Sequence, residues 1–142
     1  MIVDTSVIIA ILRAEPDAKD FVLAMKASRT SLLISTASYV EIGAEVDQAR
    51  DPIASRRVDE LLNALGIQVE PVTPHQAHIA REAYRDFGKG SGHNAGLNFG
   101  DCFSYALAKA FAEPLLFKGN DFIHTDVQVA AYGDKQHLPA CH

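Results

Sequence analysis

The chain has 142 residues, enough for one domain with a substantial core and too few for a second domain of ordinary size. Hydrophobic residues make up 48% and charged residues 22%, close to globular averages, which argues against a disordered chain. A formal net charge of −5 argues against general adhesion to nucleic acid, because such binding draws its affinity from Lys and Arg along phosphates. That objection weakens if several acids share one pocket and are neutralised there by a divalent cation.

In chain order, Ile2 and Val3 read as a brief apolar strand, and the run from Ser6 to Leu12 as either a buried helix or a second strand. No basic segment or export-length apolar run follows Met1, and nothing approaches a membrane span, so a cytoplasmic chain is expected. Its two cysteines, Cys102 and Cys141, lack metal-type spacing and read as free thiols. Residues 17–26 place Ala18, Phe21, Val22 and Met25 at helical spacing behind Glu15 and Pro16, and residues 31–34 read as the next strand. Residues 36–49 form a predicted helix capped by Ser35 or Thr36; its inward stripe is Ala37, Val40 and Ala44, with Tyr39 and Val46 nearby, and it carries Glu41. Asp51-Pro52 opens a helix that runs to Leu65 and stops at Gly66, with Val58, Leu61, Leu62 and Leu65 as its stripe; residues 67–69 are a third strand.

Thr73-Pro74 caps a further helix to about Phe87, and the glycine-rich residues 88–92 predict a mobile loop. A strong helix then runs from Asn98 or Gly100 to Glu113, with Phe103, Ala106, Leu107, Ala110 and Phe111 facing inward. Residues 115–117 and 127–129 are the remaining candidate strands. The domain is expected to span residues 1–130, and residues 131–142 form a motif-free tail, a candidate for disorder. Strands alternating with helices, without hairpin signals, predict an α/β fold: a parallel sheet covered on both faces. Ligands of such sheets bind beyond the carboxyl ends of the strands.

That rule directs attention to four acids. Asp4 directly follows the first strand, and Asp121 follows residues 115–117 by way of Lys118, Gly119 and Asn120. Asp101 falls in the first turn of the helix before that strand, and Glu41 lies one and a half turns into the helix after residues 31–34. Each has an ordinary explanation: Asp4 as a helix cap, Asp101 as compensation of a helix dipole worth about 0.3 to 1 kcal/mol, Asp121 as a turn residue. Glu41 resists one, since it sits beside the predicted inward stripe, has Glu45 one turn away, and has no Lys or Arg within four residues. Clustered carboxylates repel by roughly 4 kcal/mol per pair at an effective dielectric near 20, so they need compensation. Mg²⁺ supplies it through hard oxygen ligands, and its open positions accept a phosphate oxygen and a water.

The segments Met1-Ile2-Val3-Asp4-Thr5-Ser6, Ser38-Tyr39-Val40-Glu41-Ile42, Leu97 to Ala108 with Gly100-Asp101 inside it, and Phe117-Lys118-Gly119-Asn120-Asp121-Phe122 together resemble the PIN-domain family, specifically the VapC-type toxins of bacterial toxin-antitoxin modules. The resemblance covers the chain to about Val129. It implies a parallel sheet in the order 3-2-1-4-5, an endoribonuclease dependent on Mg²⁺ or Mn²⁺, a VapB-like antitoxin and a homodimer. Carried over residue by residue, it makes Asp4 and Asp101 the principal metal ligands and Glu41 and Asp121 further or water-mediated ones. Thr5, Ser6 and Asn120 take supporting positions, and Asp126 is a weaker candidate. Lys89 and His93, in the loop before Asp101, are candidate contacts for RNA phosphates, with a solvated connector as the competing reading.

Three rivals remain. His75 and His78 stand one helical turn apart and could cleave RNA without metal, but neither adjoins the acid motifs. A phosphoaspartate enzyme would need a second acid where Ser6 stands, and residues 88–92 lack the strand-to-helix context of a phosphate loop. A silent binding module would have favoured the loss of an acid, and all four are present.

Overall fold

The structure, a computed structural model, describes residues 1–133. Its central strands are very short: β1 is Ile2–Val3, β2 Leu32–Ser35, β3 Ile67–Glu70 and β4 Leu115–Leu116. All pair in parallel in the order β3-β2-β1-β4, with Ile2 opposite Leu33 on one side and Leu115 on the other. Side chains on a strand alternate between faces, and the core divides accordingly. Ile2, Leu33 and Leu115 pack into one buried cluster, while Val3, Ile34 and Leu116 pack into another. Burial on both faces explains why the strands read as apolar runs.

Among the described residues six α-helices connect and cover the strands: α1 (Thr5–Leu12), α2 (Ala18–Lys26), α3 (Thr36–Asp47), α4 (Pro52–Leu65), α5 (Pro74–Phe87) and α6 (Asp101–Phe111). Val7 and Ile8 of α1, Phe21 of α2, Ile42 of α3 and Val58 of α4 join the cluster with Val3; Ala80 and Ala83 of α5 and Leu107 of α6 join the one with Ile2. The ambiguous run after β1 is thus helical, opened by Asp4 as N-cap. Thr73 accepts from Gln76 N at 3.1 Å, Asp51 accepts from Ile53 N at 3.0 Å, and Gly66 closes α4 in the left-handed conformation at φ 70°, as the sequence predicts.

Three expectations are corrected. The first four strands stand in the order 3-2-1-4, but residues 127–129 contribute only a parallel bridge between Leu115 and Val129 rather than a full fifth strand. β4 is two residues long and is followed closely by Gly119 at φ 101°, so little edge remains to pair with. On α3 the inward residues are Ser38 and Ile42, while Val40 is 66% exposed and Ala44 also faces out. The helix leaves β2 with no intervening loop, so the strand's end dictates which face turns inward. On α6, Cys102, Ser104, Tyr105 and Ala108 join Ala106 and Leu107 inside, whereas Phe111, at the last turn, is 45% exposed.

Packing continues to Tyr132, whose ring lies 4.3 Å from that of Phe21. Residues 134–142, most of the expected tail and Cys141 with it, lie outside the described residues. Cys102 is a buried free thiol. Among the described residues no helix is long and apolar enough to cross a membrane.

Candidate active site

β1 ends at Val3, so Asp4 emerges at the carboxyl edge of the sheet and its backbone turns directly into α1. Its carboxylate is 4% exposed and densely held. Oδ2 accepts from Ser6 N at 3.0 Å and Ser6 Oγ at 2.6 Å, and Oδ1 accepts from Ser104 Oγ at 2.5 Å. Ser6 in turn accepts from Lys118 N at 2.9 Å, which ties the start of α1 to the chain leaving β4.

Asp101 opens α6 in a reciprocal exchange with the residue three before it. Asn98 N donates to Asp101 Oδ2 at 3.0 Å, and Asp101 N donates to Asn98 Oδ1 at 2.8 Å. Glu41 reaches in from α3, accepting at Oε1 from Thr5 Oγ1 at 2.8 Å. Its carboxylate lies against Gly100, where any Cβ would overlap it. Gly100 was not among the sequence candidates; a glycine immediately before a predicted catalytic acid was the available signal.

Asp4, Glu41, Asp101 and Asp121 all line one cleft of about 680 Å³, together with Thr5, Ser6, Asn98 and Lys118. Among the described residues no histidine lines it, and two cations do. Both are occupied by other acids: Lys118 Nζ binds Glu15 at 2.9 Å and Asp17 at 3.1 Å, and Arg13 binds Glu45 at 2.9 Å. Among the described residues the four carboxylates therefore share the cleft without a free cationic side chain. Burial pushes the Asp101 carboxyl up to about 7, with the charge of Asp4 adding to the rise, the Asn98 backbone N–H opposing it, and Asp121 and Glu41 contributing further. Burial also raises the Glu41 carboxyl, against the pull of the Thr5 hydroxyl and with Asp4 and Glu45 adding to it.

The donor set, carboxylate oxygens backed by hydroxyls, suits a hard divalent cation. Among the described residues, no three His, Cys, Asp or Glu side chains are already closed around one point. Each of Asp4, Glu41 and Asp101 is instead turned to a hydrogen-bond donor. Asp121 is exposed, whereas Glu41 and Asp101 are both partly buried.

The other candidates lie elsewhere. Asp126 sits away from the cleft, accepting from Tyr105 Oη at 2.5 Å and Lys109 Nζ at 3.1 Å. Asn120 is exposed and does not line the cleft. His93 packs its ring edge-on against Phe87 at 4.8 Å, and Lys89 helps close the loop base by donating from its N to Leu97 O at 2.8 Å; neither lines the cleft. His75 and His78 are exposed on α5.

The PIN domain model matches residues 1–128, spanning β1 through the turn after β4 and with them all four acids. The chain belongs to the PIN-domain family. This PIN domain is 59% identical over 130 residues to the protein named ribonuclease VapC28 of Mycobacterium tuberculosis, covering 92% of this chain and 97% of that one. Among solved structures its fold is similar to Mycobacterium tuberculosis VapC20, described as a Sarcin-Ricin loop cleaving toxin, with a TM-score of 0.73 at 17% identity over 93% of this chain and 98% of that one. It is also similar to a chain of a toxin-antitoxin complex from Klebsiella pneumoniae, with a TM-score of 0.64 at 16% identity over 85% of this chain and 88% of that one. Those two likenesses establish the fold, a parallel α/β sheet flanked by helices.

Proposed function

We propose that this PIN domain is the ribonuclease toxin of a toxin-antitoxin module, a Mg²⁺-dependent endoribonuclease that also accepts Mn²⁺ and acts in the cytoplasm. The observation that carries the reading is the cleft itself: four carboxylates share it, the two cations that line it among the described residues are bound to other acids, and burial raises Asp101 to about 7. Such an arrangement is costly unless a cation offsets it. Similarity to named VapC ribonucleases along nearly the whole chain points the same way.

In this reading Asp4 and Asp101 are the principal metal ligands, and Glu41 and Asp121 are further or water-mediated ones. A divalent ion supplies Lewis-acid stabilisation of charge on the phosphoryl oxygens and eases deprotonation of the attacking water. Glu41 and Asp121 orient that water. Thr5 holds Glu41 through their hydrogen bond, and Ser6 holds Asp4. Attack by water leaves a 5′-phosphate and a 3′-hydroxyl.

The cleft's acidity also supports inhibition by a VapB-like antitoxin that places a cationic side chain among the carboxylates, and the resemblance to VapC-type toxins is what leads us to propose a homodimer as the working assembly. A complex in which activity is blocked while the cleft stays open would contradict the first, and a monomeric mass by light scattering the second.

The direct test incubates the full chain with total RNA and maps the new 5′ ends. Cleavage should appear with Mg²⁺ or Mn²⁺, vanish in EDTA and return when the ion is restored. Cleavage that persists in EDTA would overturn the reading in favour of metal-free chemistry.

A further inference from the structure

Behind the cleft, three elements meet through two serine hydroxyls. Ser38 on α3 and Ser104 on α6 are each 1% exposed, and their oxygens lie 3.3 Å apart. Ser104 also donates to Asp4 Oδ1 at 2.5 Å. A hydroxyl has one proton to donate, and that of Ser104 is spent on Asp4. At the contact between the serines, Ser38 is therefore the donor, and the chain runs from Ser38 through Ser104 to Asp4.

The placement of the pair relative to the other acids is informative. Ser38 precedes Glu41 by three residues on α3, and Ser104 follows Asp101 by three on α6, one helical turn in each case. The hydroxyl chain thus joins the turn below Glu41, the turn after Asp101 and the Asp4 carboxylate itself. Leu107 and Ile42, one turn further along their helices, are fully buried hydrophobics. Hydroxyls in such surroundings cost free energy unless satisfied, and these are satisfied by each other and by Asp4.

A carboxylate offers about four lone-pair positions. Two on Oδ2 are taken by Ser6 N and Ser6 Oγ, and one on Oδ1 by Ser104. Among the described residues one position stays open, on the oxygen that Ser104 holds. We infer that Ser104, backed by Ser38, is a positioning residue that aims the single open lone pair of Asp4 at the catalytic cation. The inference rests on the metal-dependent reading above. It limits Asp4 to one ligand oxygen and assigns the setting of that oxygen's direction to α6 and α3 together.

The test measures Mn²⁺ affinity of the full chain by calorimetry without RNA, beside thermal melts. Loss of a hydrogen bond that orients a metal ligand typically weakens affinity by about 10- to 100-fold, and Ser104→Ala should show a loss of that order. Ser38→Ala should show a smaller loss in the same direction. A role in packing alone would lower the melting temperature and leave affinity unchanged. A folded Ser104→Ala protein within about twofold of wild-type affinity would overturn the inference, against the 10- to 100-fold loss usual for such contacts. Should Ser104→Ala fail to fold, Ser38→Ala decides: a weakened affinity supports the chain and an unchanged one overturns it. If Asp101→Asn abolishes Mn²⁺ binding while Ser104→Ala does not weaken it, the metal site stands and the inference falls. Wild-type protein that binds no Mn²⁺ overturns both.

Discussion

Asp101 and Asp126 are both set against α6, and their surroundings drive them in opposite directions. Asp101, at the first residue of the helix, is partly buried among other acids and its carboxyl is pushed up to about 7. Asp126 meets the helix near its far end. Burial alone would raise it too, but the Tyr105 hydroxyl and the Lys109 ammonium hold it below the usual carboxylate range. The difference lies in compensation: among the described residues Asp126 has a protein cation and Asp101 has none. An acid left uncompensated in a cleft while another set against the same helix is paired is the pattern that marks a candidate functional group.

The sharpest way to break this comparison is to neutralise each acid in turn. Asp101→Asn should fold and lose RNA cleavage by roughly 100-fold or more, because several kcal/mol of transition-state stabilisation are at stake and each ~1.4 kcal/mol is tenfold. Asp126→Asn should cleave at close to the wild-type rate. Comparable losses in initial-rate assays of the two would erase the distinction.

Gly100→Ala probes the same region by shape. The backbone at Gly100 is ordinary right-handed helix, so alanine brings no strain there, only overlap with the Glu41 carboxylate. That carboxylate is the free end of a flexible side chain and will move. Cleavage should fall roughly 10- to 100-fold, the usual cost of a small misplacement at a reacting centre, while the melting temperature changes little. A large drop in melting temperature with normal cleavage would show that Gly100 serves packing instead.

Acidity sharpens the comparison further. Without metal, Asp101 takes up a proton on folding at pH values between its ordinary range near 4 and its raised value of about 7, so stability should fall as pH rises through that window. A cation must displace that proton, so Mn²⁺ affinity should rise by about tenfold per pH unit up to about 7 and then level off. Flat affinity between pH 5.5 and 7 in titration calorimetry would contradict it. Asp126, lowered rather than raised, contributes stability that is lost as pH falls. The smallest effect is therefore that of Asp126→Asn on stability at neutral pH, at most about 1 kcal/mol by urea melt, since the pair with Lys109 is largely exposed and screened.

Much of this protein is legible in its amino-acid order because the signals are local. Thr73-Pro74, Asp51-Pro52 and Gly66 mark helix ends through hydrogen bonds and backbone preferences spanning only a few residues. The four acids are legible for a related reason: Asp4, Asp101 and Asp121 stand beside a strand end or a helix start, Glu41 lies in the second turn of the helix after β2, and parallel α/β sheets gather those positions at one edge. Ser38 and Ser104 were not legible. Their polarity marked them for the surface, and only the approach of α3, α6 and Asp4, residues up to 100 apart in sequence, gives those hydroxyls partners inside. Val40 and Phe111 failed in the opposite sense: hydrophobicity does not reveal which face of α3 the preceding strand will turn inward, nor that Phe111 falls in the last turn of α6, 45% exposed.

Local chemistry in the sequence thus determined most of the element types, the α/β class and the four acids that share the cleft. Which carboxylates keep a protein cation, which oxygen of Asp4 stays open, and how closely Glu41 can lie against Gly100 were decided by tertiary packing. The physical reason is range: caps and turns act over a few bonds, whereas desolvation and charge pairing depend on groups that only the completed fold brings together.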